Sequence, residues 1–268
     1  PTMAITAKDV MALRKATGLG MMEAKKALIE VDGNFDAAVD LARQKGLANM
    51  DGRTDRASAE GKVAIAINGN RSKGAIVELN TETDFTANNE QFVKMAQTVA
   101  AEALRQDPGD VDKTPPMQTA IDEVRLTTKE NAQFGRGVVL GKPGRTLGSY
   151  VHHTGKVGVL IETEGDISEQ LLKDLCMHVS ALNPMGINDN DVPPETLERE
   201  RQIAKAQAVE QGKPENIAEK MVEGKIRKYL DEVVLLRQPF VKDDKMQIKQ
   251  LLPAESKIHR FVRYQVGG

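Results

Sequence analysis

The order strand, turn, strand, helix occurs twice in this chain, and any fold must accommodate both copies. From Gly61 to Leu104, Val63, Ile65 and Ile67 alternate, Gly69-Asn70 turns, and Ala75, Val77 and Leu79 alternate; Phe92, Ala96, Val99 and Ala103 then recur at helical spacing. From Gly148 to Leu182 the order returns. Ser149-Tyr150-Val151 reads as a strand, His152 to Gly155 as a turn, and Val157, Val159 and Ile161 as a second strand, before Leu171, Leu175, Val179 and Leu182 line one helix face. A period of two predicts strands with one face buried, and a period of 3.6 predicts a helix to cover that face. Two such units predict an α+β core of two similar halves with small antiparallel sheets. Val138-Val139-Leu140 and Phe261-Val262-Arg263-Tyr264 are expected as extra strands, one for each half.

Helical segments surround this core. Residues Ile5 to Gly46 read as three short helices: Thr6 and Asp9 form a capping box, Gly18 and Gly20 break the pattern, and Asp32-Gly33-Asn34 breaks it again. Val10, Leu13, Met22, Leu28, Ile29, Phe35, Ala38, Val39 and Ala42 are expected to form their core. The stretch Asn49 to Glu60 has almost no large apolar residue and reads as a solvated linker. Between Pro193 and Tyr229 two charged helical runs flank Gly212-Lys213-Pro214, predicting a helical hairpin. Its seam of Leu197, Ile203, Ala204, Ile217 and Met221 is thin, so it should protrude as an arm. The expected divisions are 1–48 for the three helices, 49–60 for the linker, 61–147 and 148–190 for the two halves, 191–229 for the inserted hairpin and 230–268 for the return to the core with the last strand.

Composition excludes several functions. Lys plus Arg (37) nearly cancels Asp plus Glu (39), so the electrostatic footprint of a direct nucleic-acid binder is missing. The single Cys176 allows no internal disulfide, and the opening P-T-M-A-I-T-A-K-D has neither a basic n-region nor an apolar h-region, which predicts a cytoplasmic protein. No run approaches the about eighteen apolar residues of a spanning helix, so no membrane association is expected. Phosphate-cradling glycine motifs and a G-x-S-x-G elbow are both missing, and Gly141-Lys142-Pro143-Gly144 reads as a turn. Cys176 and His178 sit two apart on a helix, where side chains do not face one another, so no metal site is predicted. Asp189 and Asp191 are spaced as in a calcium loop but lack its Gly and terminal Glu, and read as a turn or helix cap. No catalytic residue and no cofactor is expected, and the chain does not read as an enzyme.

One segment stands out. The run A-I-V-E-L gives way to T-E-T-D-F-T-A-N-N, in which Phe85 is the only large apolar side chain. The residues leave two readings open: Phe85 caps the following helix, or Asp84-Phe85 is a probe of one anionic acceptor and one apolar wedge. Met21 and Met22, beside Gly18 and Gly20, are a second candidate surface, since Met adapts to many partners.

At these residues the sequence resembles the elongation factor Ts family. The matching stretches are T-G-L-G-M-M-E-A-K-K-A-L (Thr17 to Leu28), E-L-N-T-E-T-D-F (Glu78 to Phe85), G-S-Y-V-H (Gly148 to His152), G-K-P-E-N-I-A-E-K-M-V-E-G (Gly212 to Gly224), Q-P-F-V (Gln238 to Val241) and R-F-V-R-Y-Q-V-G (Arg260 to Gly267). The resemblance implies a guanine nucleotide exchange factor for elongation factor Tu, with a ubiquitin-associated-like three-helix domain at the amino terminus and the hairpin as a coiled-coil insertion. It also implies that Asp84 and Phe85, with Thr83, enter the partner's nucleotide domain, that Leu13, Arg14, Thr17, Met21 and Met22 form an amino-terminal contact surface, and that His152 touches the same partner. A homodimer within the complex is compatible with this. Thr86 stands where the family more usually has an apolar residue. The competing reading is a ubiquitin-associated-like adaptor without exchange activity, which would have no use for T-D-F on a strand-to-helix turn.

Overall fold

The computed structural model describes residues 5–17, 19–51, 57–212 and 214–268, with side chains for all of these except 47–51. Residues 1–4, Gly18, residues 52–56 of the expected linker and Lys213 of the expected breaker lie outside the described residues.

Helix α1 (Ala7–Thr17) starts where the sequence placed its cap: the Thr6 amide donates to Asp9 Oδ2 at 2.9 Å, and the Asp9 amide donates back to Thr6 Oγ1 at 3.3 Å. Helix α2 (Met21–Glu30) ends at a turn in which Asp32 and Gly33 take φ of 52° and 83°, and Asn34 then caps α3 (Phe35–Asp51) through a 3.1 Å bond from the Ala37 amide. The core of the three helices is Val10, Leu13, Ala24, Ala27, Leu28 and Ala38. Met22, Ile29 and Phe35, expected in that core, are exposed. The buried stripe of α2 is Ala24, Ala27 and Leu28, and 3.6-residue periodicity turns Met22 and Ile29 away from it.

The two expected halves are two sheets packed face to face, each covered on its outer face by helices. In the first, β1 (Glu60–Ile67) pairs with β2 (Gly74–Thr81), which after α4 (Asp84–Ala87) and α5 (Glu90–Ala103) pairs with β4 (Gln133–Leu140); the short β3 (Gly109–Asp110) borders β4 and is followed by α6 (Pro115–Thr128). Ala75, Val77 and Leu79 of β2 face Phe92, Ala96, Val99 and Ala103 of α5, as their spacing predicts. Ile76 points the other way. It joins Val63, Val138 and Leu140 against Leu147 and Leu160 of the second sheet. That sheet runs β5 (Thr146–Val151), β6 (Val157–Glu164), β9 (Lys257–Gln265), and α7 (Glu169–Leu182) covers it with Leu172, Leu175 and Val179. Both expected extra strands are present, as parts of β4 and β9, and β5 begins three residues earlier than Ser149. Each wholly buried Leu, Ile or Phe contributes about 1.5–3 kcal/mol.

Helices α8 (Pro194–Glu210) and α9 (Glu215–Val233) pair as the expected hairpin. Their seam is built of alanine: Ala204, Ala208 and Ala218 are buried, whereas Ile203 and Ile217, expected there, are 42% and 44% exposed. Small side chains let the backbones approach until larger neighbours are squeezed to the flanks. Asp191 caps the chain before the arm, accepting from the Ile187 and Asn188 amides at 2.8 Å each, and Arg237 ties its base through Asp189 at 2.9 Å and Asp231 at 2.8 Å. The hairpin β7 (Pro239–Phe240) and β8 (Asp243–Gln247) and the turn α10 (Ile248–Leu251) lead back to β9. Among the described residues no helix is long and apolar enough to cross a membrane.

Beneath that return lies a buried imidazole. The Val241 amide donates to His178 Nδ1 at 3.2 Å, so Nδ1 is the acceptor and the proton sits on Nε2, 2.9 Å from Gln238 Oε1. Burial lowers the pKa of His178, against the opposing Gln238 bond. An unfolded chain whose His178 titrates near the ordinary value of about 6.5 binds the extra proton first as pH falls. The contribution of His178 to stability is therefore full above pH ~6.5 and is lost as pH falls below it, by at most about 1.4 kcal/mol per pH unit. Urea unfolding at pH 7.5 and 5.5 should show this slope in the parent and a smaller one in His178→Gln; equal slopes would contradict the neutral buried imidazole.

Candidate functional site

Strand β2 stops at Thr81, and two residues later Thr83, extended at φ −125° and ψ 156°, caps the one-turn helix α4. Its Oγ1 accepts from the Thr86 amide at 3.3 Å, its carbonyl accepts from the Ala87 amide at 3.1 Å, and the Asp84 carbonyl accepts from the Asn88 amide at 2.9 Å. Thr86 and Ala87 are buried against the core. Successive helical residues project about 100° apart, so burying these two swings Asp84 and Phe85 outward. Phe85 is 86% exposed, the most exposed large apolar side chain among the described residues. The cap over the following helix, one of its two sequence readings, is not what it forms.

Glu130, just past α6, grips this turn from one side. Its Oε2 accepts from Thr81 Oγ1 at 3.0 Å and from the Thr83 amide at 3.1 Å, and its Oε1 accepts from Thr83 Oγ1 at 2.6 Å. The Asn131 amide donates in return to Glu82 Oε1 at 2.9 Å. Burial alone would raise the pKa of Glu130, but hydrogen bonds from Thr83, Thr86 and Thr81 outweigh it and leave the carboxyl below its ordinary range.

Lys62 of β1 grips from the other side. Its Nζ donates to Asn88 Oδ1 at 2.8 Å and to the Thr154 carbonyl at 2.6 Å, and burial, with Lys156 nearby, lowers its pKa despite Glu60. Thr154 belongs to the turn after β5, where the Thr154 hydroxyl lies 2.9 Å from His152 Nδ1. One ammonium thus joins the end of α4, the turn that carries Asp84 and Phe85, to the turn that carries His152. Neither Lys62 nor Glu130 stands out in the sequence, since each belongs to a segment far from the residues it holds.

The amino-terminal candidates lie on α1 and at the start of α2. Met21 and Met22 are 45% and 69% exposed, Arg14 is exposed, and Thr17 is half-buried with its hydroxyl donating to the Leu13 carbonyl at 2.7 Å. Leu13 itself is wholly buried among the three helices, so its side chain is not part of that surface. Met11, at 61% exposure, lies off the Val10 and Leu13 stripe and three residues before Arg14, beside it on the surface of α1. A cleft of about 570 Å³ between the three helices and α5–α6 has Thr17 on one wall and Lys129, the neighbour of Glu130, on the other.

Among the described residues no group of three or more His, Cys, Asp or Glu is placed to hold a metal ion. Cys176 is buried and burial pushes its thiol pKa far up, which removes it as a nucleophile.

The model of the family Elongation factor TS matches residues 82–268 of the chain. Elongation factor Ts of Alkalilimnicola ehrlichii is 44% identical over 273 residues, covering 99% of this chain and 93% of that protein. Elongation factor Ts of Thioalkalivibrio sulfidiphilus is 46% identical over 274 residues, and that of Halorhodospira halophila 42% identical over 271, with the same coverage.

If Phe85 is held outside the core, Phe85→Ala should change the unfolding free energy by no more than about 0.5 kcal/mol, where truncating a buried Phe costs about 3–5 kcal/mol. Denaturant titration of the isolated chain checks this, and a loss in the larger range would mean that Phe85 packs inward.

Proposed function

Because the chain belongs to the elongation factor Ts family of translation elongation factors, we propose that it is the guanine nucleotide exchange factor of elongation factor Tu, that it works in the cytoplasm, and that it acts by wedging Asp84-Phe85 into the partner's nucleotide domain. The observation that supports the wedge is an almost fully exposed Phe on a turn fixed by hydrogen bonds from both sides. An exchange factor speeds release only if it binds the nucleotide-free partner better than the nucleotide-bound one, and each ~1.4 kcal/mol of that preference is a factor of about ten. The preference must come from a contact that the bound nucleotide opposes. A Phe entering between helices beside the phosphate site shifts the amides that hold the phosphates and the near-octahedral shell that magnesium demands. Once the metal leaves, the phosphate charge is uncompensated and the nucleotide follows. Asp84 accepts hydrogen bonds from donors at the displaced helix end and holds the open form.

Met21, Met22, Arg14 and Thr17 supply docking area away from the wedge, and residues 1–48 act as a separate docking unit. The chain itself binds neither GDP nor GTP and makes or breaks no covalent bond. Release of fluorescently labelled GDP from purified elongation factor Tu tests the reading. The parent should accelerate release; Phe85→Ala should reduce the rate at saturating chain by at least about tenfold, or about 1.4 kcal/mol, and Asp84→Ala by less. A Phe85→Ala protein that releases GDP at the parent rate would refute the wedge.

A further inference from the structure

We infer that Glu130 is a positioning residue for exchange: its carboxylate sets the direction in which Asp84 and Phe85 are presented, without itself meeting the partner's nucleotide site. The inference rests on the exchange reading above. Its basis is the arrangement of donors. The two oxygens of Glu130 take three hydrogen bonds from alternate residues Thr81 and Thr83, which fixes the chain on both sides of Glu82. The Thr83 hydroxyl that donates to Glu130 also accepts from the Thr86 amide, so one oxygen links the carboxylate to the first turn of α4. Thr81 is buried at the end of a central strand, whereas Phe85 is exposed; the latch is where order passes from one to the other.

Glu130 is in turn held by its own backbone. Lys129 ends α6 in the left-handed region at φ 61°, its amide bonded to the Arg125 carbonyl at 2.9 Å, and the Glu130 amide donates to Thr128 Oγ1 at 3.3 Å. On the next residue the Asn131 amide returns a bond to Glu82. Two carboxylates therefore cross between the turn and the α6 terminus, each satisfying backbone on the opposite segment. An apolar side chain on a loose turn would fold back onto the protein surface, and every contact with the partner would first have to offset the cost of ordering it. A turn clamped in this way meets the partner already ordered. Thr81 and Thr83 lie next to solvent-reachable turn residues, so removing Glu130 lets water replace part of what the donors lose; the larger effect falls on direction rather than on folding.

The test compares the parent, Glu130→Gln and Glu130→Ala, each alone and on Phe85→Ala, by the rate of labelled GDP release from elongation factor Tu against chain concentration. Glu130→Ala should lower the saturating rate about tenfold, and Glu130→Gln, which keeps one acceptor oxygen, should lower it less. The concentration giving half of the maximal rate should stay within about twofold of the parent, because docking area lies elsewhere. On Phe85→Ala, Glu130→Ala should cost nothing further. A parent-like saturating rate for Glu130→Ala, while Phe85→Ala is slow, would overturn the positioning role and leave the wedge standing. So would an equal loss in both backgrounds, since Glu130 would then act independently of Phe85. If Phe85→Ala itself exchanges at the parent rate, the wedge falls and the latch with it. A variant that merely unfolds more easily, with the saturating rate intact below its melting temperature, would show Glu130 to be structural only.

Discussion

The contact between the two sheets decides where everything else in this molecule sits. It is so close that a Cβ added to Gly158 would lie 2.5 Å from Val63 Cγ1, and one added to Gly74 would lie 2.9 Å from Leu147 Cδ1. Glycine at these strand positions is what allows the sheets to meet, at the usual cost of glycine in a strand. The Val63 amide donates to the Gly155 carbonyl in the turn between β5 and β6 at 2.8 Å, and its neighbour Lys62 bridges Asn88 and Thr154. The turn carrying Phe85 and the turn carrying His152 belong to different sheets; this packing is what brings them to one end. Arg136 adds a further stitch, paired with buried Glu78 at 2.8 Å and lying 4.5 Å above the Tyr264 ring of the second sheet.

The strands and helices of the core were legible because burial on one face leaves a period. Ala75, Val77 and Leu79 read as one face of β2, and the structure sets them against α5. What the pattern could not convey was that Ile76, on the opposite face, is equally buried, because a second sheet covers it. Where helices pack through alanine the pattern misled. In α2 and in the arm the buried positions are Leu28 and the alanines Ala24, Ala27, Ala204, Ala208 and Ala218, and the larger Met22, Ile29, Ile203 and Ile217 are exposed. Hydrophobicity marks side chains that gain from burial, whereas close helix approach selects those small enough not to obstruct it. Leu13 shows the converse: a residue named for a contact surface lies wholly within the core.

The candidate site was legible only in its exposed part. The polar run around Phe85 announces itself in the sequence, since a lone aromatic among Thr, Glu and Asn is unusual. Its supports do not. Glu130 lies 47 residues from Thr83 and Lys62 lies 92 from Thr154, and at such separations a hydrogen bond leaves no periodic trace. Those hidden supports distinguish an exposed side chain that is merely tolerated from one held in a fixed direction.

On this account the energy for nucleotide release comes from a difference in affinity, and Phe85 carries a large share of it. The most direct measurement is the affinity of the chain for nucleotide-free and for GDP-bound elongation factor Tu, made with the parent and with Phe85→Ala. The ratio of the two affinities equals the factor by which the chain weakens GDP binding. The account predicts that the parent strongly prefers the nucleotide-free partner and that Phe85→Ala shrinks this ratio by at least about tenfold, most of the loss falling on the nucleotide-free complex. An unchanged ratio, with both affinities lowered equally, would make Phe85 an ordinary docking residue and contradict the wedge.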